Sequence, residues 1–326
     1  MMDSMSFNST DFVLTGDINS PTYAAALGIE GVIGIIANVA VLLMTLYQRK
    51  SWNQPSTIFF TSLLLSSLII ALVYLMSSFA VGAEEWIFGN TFEEKNGSCI
   101  FFGFFLYYGG MLNAATLAVI SFDRFLFIVK PHLHKQFMRP RVALILIIGV
   151  WLLCSLINTI PFYGFGVFGY LYDNGVCSLI YEHSGLYLLV LLVVYPMIYC
   201  IIASTSIWTF FFTRSFIKRQ GRSVDSGVYQ SKNKKLFGIF GSMLLSYILT
   251  LLPSYFVALL VFIFGQLDSA FAFGIGTYGL ISIMNPLIQS YFRPEIKETL
   301  VLFAKKIGLK SNKIHPIEPQ VAVTAD

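Results

Sequence analysis

The sequence predicts an all-α membrane protein, a bundle of seven transmembrane helices with its N-terminus outside. Three observations predict it. Hydrophobic residues make up 56% of the 326 and charged residues only 12%, against about 25% charged in soluble domains. Seven apolar segments are each long enough to cross a bilayer, for which about 20 residues suffice. Finally, basic residues gather on alternate loops.

The segments fall near 23–47, 56–82, 96–130, 140–163, 183–213, 236–264 and 269–291. Pro161, Pro196, Pro253 and Pro286 sit inside four of them. Neighbouring helices in a bundle satisfy the carbonyl that a proline frees, so kinks are tolerated there. Of the 21 lysines and arginines, all but Lys95 lie on the loops at 48–55, 130–141 and 214–235, on the C-terminal segment, or at Arg124 beside the second of those loops. Those loops are therefore cytosolic. An outside N-terminus and an inside C-terminus need an odd number of spans, and seven fits. The first twenty residues lack a basic start and an apolar middle, so the first span is expected to act as its own insertion signal. Glycosylation sequons begin at Asn8 and Asn96, both on the expected outer side.

Four cysteines are too few for a disulfide scaffold. Cys154 and Cys200 lie inside apolar spans, whereas Cys99 and Cys177 lie at water-facing edges. A helix from Cys99 to Arg124 is about 37 Å long and sets them at opposite membrane surfaces. Cys177 follows the fourth span, also outside, so Cys99 and Cys177 can bridge in an oxidising compartment. The alternative is two free thiols. The four histidines form no metal-ligand pattern, and there is no phosphate loop or nucleophile elbow. The sequence thus points to no enzyme, cofactor or metal. Topology and contact with anionic lipid account for the basic loops without nucleic acid.

Several motifs occur in order. Asn38 sits in "GVIGIIANVAVLL". Trp86-Ile87-Phe88-Gly89 lies on the first outer loop. Asp123-Arg124-Phe125 is followed by Pro131, seven residues after the arginine. Trp151 and Pro161, Pro196, Pro253 and Asn285-Pro286 mark the fourth to seventh spans, and "FRPEIKETLVLF" follows from 292. Together they resemble the rhodopsin-like family of G-protein-coupled receptors over about residues 23–304. The resemblance implies an extracellular tail at 1–22, a receptor domain at 23–304 ending in a short amphipathic eighth helix, and a cytoplasmic tail at 305–326. It implies a multi-pass plasma-membrane protein whose partners are the lipid bilayer, a small-molecule ligand and a heterotrimeric G protein. Asp123, Arg124, Pro131, Asn285, Pro286 and Gln289 would then serve activation and G-protein coupling.

The departures from the family pattern carry information too. Ser67 stands where the second helix usually has Asp. Leu251 replaces a Trp, Tyr247 a Phe, and Gln289 and Ser204 each a Tyr; Asn233 replaces a Glu that pairs with the arginine. Gly279 stands where a retinal pigment needs its Schiff-base lysine, and 236–292 holds no Lys or Arg, which excludes a retinal-linked photoreceptor. Leu106 stands where amine receptors carry a carboxylate, and 100–122 holds no acid. A buried cationic amine would lack a partner.

The family's pocket positions are here Leu106, Tyr107, Gly110, Met111, Leu188, Ser254, Tyr255 and Ile275. They suit a small, neutral, largely apolar ligand, and a chemosensory role is one expectation. Gly110 makes room either for a ligand or for a close helix contact. Asn38, Ser67 and Asn113 would form a polar core with Asn285. Glu30, an intramembrane acid, is either functional or a neutral acid bonded to a neighbour. Two other readings remain at this point, a receptor-like interaction protein that does not signal, and a seven-helix transporter or channel. A transporter would be expected to show charges along several helices.

Overall fold

The computed structural model describes residues 12–47, 54–180, 183–220, 252–260, 263–264 and 268–292. Along the described residues run α1 Ser20–Tyr47, α2 Pro55–Gly82, α3 Phe92–Val129, the short α4 Pro131–Phe137, α5 Pro140–Asn158 and α6 Gly185–Gln220. A helical stretch at 252–260 belongs to the sixth span, and α7 Asp268–Phe292 closes the described bundle. Most of 236–264, and the expected eighth helix from 292, lie outside the described residues.

Helix starts are written in the sequence. Proline opens α2, α4 and α5, where its missing N–H forfeits no bond and its fixed φ suits the first turn. Asn19 caps α1 by accepting from Thr22 N at 3.0 Å. At α3, Thr91 and Glu94 form a reciprocal capping box. Pro196 and Pro286 stand inside continuous helices, as the bundle allows. Pro161 does not. Helix α5, which forms the fourth span, ends at Asn158, and Pro161 sits in a 3-10 turn, Ile160–Tyr163, that leads to left-handed Gly164.

The outer face holds an element the sequence left as plain loop. Strands β1 (Phe168–Leu171) and β2 (Val176–Leu179) pair antiparallel, with Tyr170 opposite Cys177. All eight strand residues are buried. Gly175, at φ 68°, makes the turn between them. The hairpin packs on α3, and Cys177 is bonded to Cys99 near that helix's outer end, with Cα atoms 5.2 Å apart. Trp86, fully buried, donates from its indole to Ser98 at 2.9 Å and meets the rings of Phe88, Phe102 and Tyr170. The chain before α1 is pinned there as well: Trp86 N donates to Phe12 O at 2.9 Å and Thr15 N to Tyr172 O at 2.9 Å. The first outer loop, the hairpin and the N-terminal approach thus form one lid.

Below the lid α3 is central, touching α2, α5, α6 and both strands. Helices α1 and α2 lie against each other, and glycine permits the approach. A Cβ on Gly31 would sit 2.7 Å from the Leu75 backbone nitrogen, where no side chain can move aside. Gly31→Val is therefore expected to destabilise the folded chain by at least about 1–3 kcal/mol. A thermal midpoint in detergent equal to the parent's would contradict this.

Candidate functional site

A cavity of about 830 Å³, its open mouth included, lies under the lid among α2, α3, α6, the 252–260 stretch and α7. Of the eight pocket positions expected from the sequence, Leu106, Tyr107, Leu188, Ser254, Tyr255 and Ile275 line it. Gly110 and Met111 do not. The room left by Gly110 is taken by Tyr278, whose Cζ would lie 2.9 Å from a Cβ there. Met111 is buried in the helix packing and accepts from Asn158 Nδ2 at 3.4 Å. Sequence reasoning missed Tyr74, Tyr195, Tyr199 and Tyr278, and also Ser178, which the hairpin delivers.

Among the described residues no charged side chain lines this cavity. Most of its hydroxyls are held by the protein. Tyr74 donates to Ile275 O at 2.6 Å, Ser254 to Gly274 O at 2.9 Å and Tyr255 to Leu192 O at 3.3 Å, and Tyr107 meets Ser178 at 3.3 Å. The surface left for a ligand is thus mostly ring faces and aliphatic groups, the usual lining of a small-molecule site.

Glu30 lies behind this wall. It is buried, its Oε2 has no hydrogen-bond partner, and that oxygen and the Tyr74 ring fill the space a side chain at 279 would need. Of the two readings of Glu30, the one with a bonded neighbour finds no partner for this oxygen among the described residues.

Mid-bundle, the polar core closes on itself. Asn113 Nδ2 donates to Ser67 at 2.9 Å and to Ser66 at 3.1 Å. Asn285 Nδ2 donates to Ser67 at 3.0 Å and to Asn113 Oδ1 at 3.2 Å. Asn38 instead ties α1 to α7 through Ser282 O at 2.7 Å. All of these side chains are buried, and each amide N–H meets a neutral oxygen.

At the inner end, Asp123 and Arg124 close α3, and Pro131 opens α4. The expected pair is loose. Arg124 Nε stands 3.9 Å from Asp123 Oδ2, while its guanidinium lies over the Phe60 ring at 5.7 Å. Asp123 makes its closer contact with His134, Nε2 to Oδ1 at 3.0 Å. Nothing in the spacing of Asp123 and His134 announces this bond. It depends on the chain breaking at Lys130 and α4 folding back. Phe125 meets Trp208 of α6 edge-on at 6.0 Å. Ser204 turns onto its own helix, donating to Cys200 O at 2.6 Å. Pro286 and Gln289 fall in α7. Leu251, Tyr247, Asn233 and the sequon at Asn8 lie outside the described residues, whereas Asn96 is on the first turns of α3.

Comparison with known proteins adds the family. The sequence model of the family described as 7 transmembrane receptor (rhodopsin family) matches residues 37–289. A Gq-coupled rhodopsin of Mizuhopecten yessoensis is 33% identical over 142 residues, 43% of this chain and 27% of that protein. A rhodopsin of Sepia officinalis is 27% identical over 160 residues, 48% of this chain and 32% of the relative. A muscarinic acetylcholine receptor of Caenorhabditis elegans is 28% identical over 139 residues, covering 42% and 21%. The matched segment is thus less than a third of each of these relatives. The crystal structure of squid rhodopsin superposes with a TM-score of 0.67 over 92% of each chain at 21% identity, which is a likeness of fold.

Proposed function

The chain belongs to the rhodopsin family of seven-transmembrane receptors, and from that premise we propose that it transduces the binding of a small, neutral, largely apolar extracellular ligand to a heterotrimeric G protein. It is a multi-pass plasma-membrane receptor of a family of receptors rather than enzymes. The observation that carries the ligand class is the lidded cavity lined by aromatic and aliphatic side chains, with Leu106 where an amine would need a carboxylate. An ion entering it would lose its hydration with no countercharge on the described lining. The test is a second-messenger screen in cells expressing a panel of G-protein α subunits, with neutral apolar compounds set against amines of matched size. Responses confined to amines would overturn the ligand class. Silence to all compounds, with no basal signal at normal surface level, would favour the non-signalling reading.

The closed polar core leads to a prediction about sodium. Amides and hydroxyls supply dipoles, and a monovalent cation in a low-dielectric bundle needs a countercharge. Signalling by the parent is expected to be unchanged when sodium is exchanged for N-methylglucamine at constant ionic strength. Ser67→Asp places a carboxylate beside Asn113 and Asn285 and is expected to create sodium sensitivity. Sodium-specific suppression of the parent, abolished by Asn113→Ala, would contradict the expectation.

His134 is expected to hold α4 on the end of α3. Its partner is a buried carboxylate, and hydrogen bonds to charged groups contribute about 1.5–3 kcal/mol. His134→Ala should therefore speed local opening by about tenfold or more, read as faster hydrogen exchange at Met138, whose N–H donates to the carbonyl of residue 134 at 2.8 Å. Unchanged exchange there would remove His134 from this role.

A further inference from the structure

We infer that the loop just before the lid hairpin, residues 162–167, is an interfacial anchor that seats in the outer leaflet of the bilayer and ties the lid to it. Its partner is a lipid surface. The lid then stands on two supports, the Cys99–Cys177 bond to α3 and lipid beside the start of β1.

The side chains of this loop are turned outward. Phe162, Tyr163, Phe165 and Val167 are each between 44% and 75% exposed. A Cβ at left-handed Gly164, between them, would meet no described atom within 4 Å. The backbone is turned the other way. The N–H groups of Phe162 and Gly164 donate to Thr159 O and Pro161 O at 3.0 Å, and Val167 N donates to Ser184 Oγ at 2.9 Å. Val167 O accepts from Ile180 N at 2.8 Å. A loop made for water shows polar side chains and leaves much of its backbone to the solvent. This one satisfies its backbone internally and displays apolar side chains, which is what a lipid interface demands.

The height of the loop in the membrane follows from α5. That helix has 19 residues and rises about 28 Å from the level of Arg139 and Arg141. The hydrocarbon core is about 30 Å thick, and basic residues mark its inner edge. Asn158 therefore lies near the outer edge of the hydrocarbon, and 162–167 at the level of the headgroups. No Asp, Glu, Lys or Arg occurs from 142 to 172, so no charge in the loop opposes that place. Tyrosine favours this layer, with its ring in apolar surroundings and its hydroxyl wet, and Tyr163 is the most exposed of the four. The lid is coupled to the anchor by ring contacts. Phe162 meets Phe168 of β1 at 5.9 Å, and Phe168 meets Tyr107, on the cavity wall, at 5.8 Å. A second copy of the chain would also cover an apolar loop. Lipid is favoured because the loop runs on from a helix whose exposed leucines, Leu152, Leu153 and Leu156, already face it.

The test places a nitroxide on single cysteines of the full chain, in a Cys200→Ser background where Cys154 is buried. The protein is held at one chain per lipid nanodisc. Collision of the nitroxide with oxygen, which concentrates in lipid, is compared with its collision with a water-soluble nickel chelate. Tyr163→Cys and Phe165→Cys are expected to show an oxygen-to-nickel ratio about tenfold or more above that of Glu93→Cys and Tyr172→Cys, exposed positions on the first turn of α3 and beside Asp173. Equal ratios at all four positions put the loop in water and overturn the anchor. Low collision with both reagents at 163 and 165 means that protein covers them, and overturns it too. A high nickel rate at one chain per disc, falling when chains are crowded in vesicles, makes a second copy the partner and has the same effect. The hold on the lid is read separately. Replacing Tyr163 and Phe165 together by serine keeps the Phe162 packing and should speed exchange of the Ile180 amide about fivefold or more, because that amide bonds the loop at Val167. Exchange at the parental rate would overturn the tie between anchor and lid.

Discussion

Replacing Cys99 or Cys177 with serine is expected to cut the receptor reaching the cell surface by about tenfold or more, since such a bond contributes about 2–4 kcal/mol. The two cysteines are 78 residues apart in sequence and both are buried. Their bond fixes the hairpin to the outer end of α3. Through the hairpin it also fixes the Trp86 cluster and the chain before α1, because Tyr170, opposite Cys177, packs on Trp86 and Phe12. Removing the bond therefore frees a lid and not one contact. Each single variant leaves a buried thiol without its partner, so the double variant should do no worse than either single one. Flow cytometry of an epitope-tagged receptor reads the surface level. Near-parental levels in all three variants would show that the lid holds without its covalent tie. Ser178 enters the cavity from the same hairpin, so any variant protein that does reach the surface should bind ligand poorly.

Those cysteines also show what was legible in the sequence. Hydropathy and the placement of basic residues marked the spans, because a bilayer imposes both over twenty residues at a time. Pro55, Pro131 and Pro140 open helices for a local steric reason, which only the structure brings out. The hairpin escaped, since four-residue strands carry too little periodicity to stand out among apolar neighbours. Pro161 is expected inside the helix of the fourth span and lies instead in the 3-10 turn just past its end. Six of the eight positions that the family resemblance implied line the cavity, and periodicity alone would not have singled them out. Gly110 was legible only as a gap. What fills a gap is decided by another helix, here Tyr278 of α7. Glu30 shows the same limit. The sequence displays the acid, but its fit against Gly279 and Tyr74 is set by how α1, α2 and α7 meet. His134 was invisible for a third reason, since its bond to Asp123 exists only once α4 has turned back.

Arg124→Ala is expected to lower G-protein activation by about tenfold or more, a loss of at least about 1.4 kcal/mol of coupling free energy, while changing the surface level less than twofold. The geometry separates the two effects. Arg124 contributes little to holding the fold. It is about a quarter exposed, its ion pair with Asp123 is 3.9 Å long, and its other contact is the Phe60 ring. At 3.9 Å the two groups are beyond hydrogen-bonding distance, so the pair lacks the bonds that make a close ion pair strong. Asp123 loses little either, because it keeps His134 at 3.0 Å. What the variant removes is a planar, permanently charged fork at the cytosolic end of the central helix. Arg124→Lys keeps the charge and loses the fork, so it should fall between parent and alanine. The same looseness bears on the resting state. With Asp123 engaged by His134 and asparagine at 233 in place of an acid, Arg124 has weaker restraints than the family pattern supplies. Basal signalling by the parent should then be measurable and should disappear in Arg124→Ala. Full activation by the alanine variant at equal surface level would sink the assignment of Arg124 to coupling. A silent parent would instead point to the relay through Leu251 and Gln289, because a loosely held arginine can act only if the helices beside it move apart.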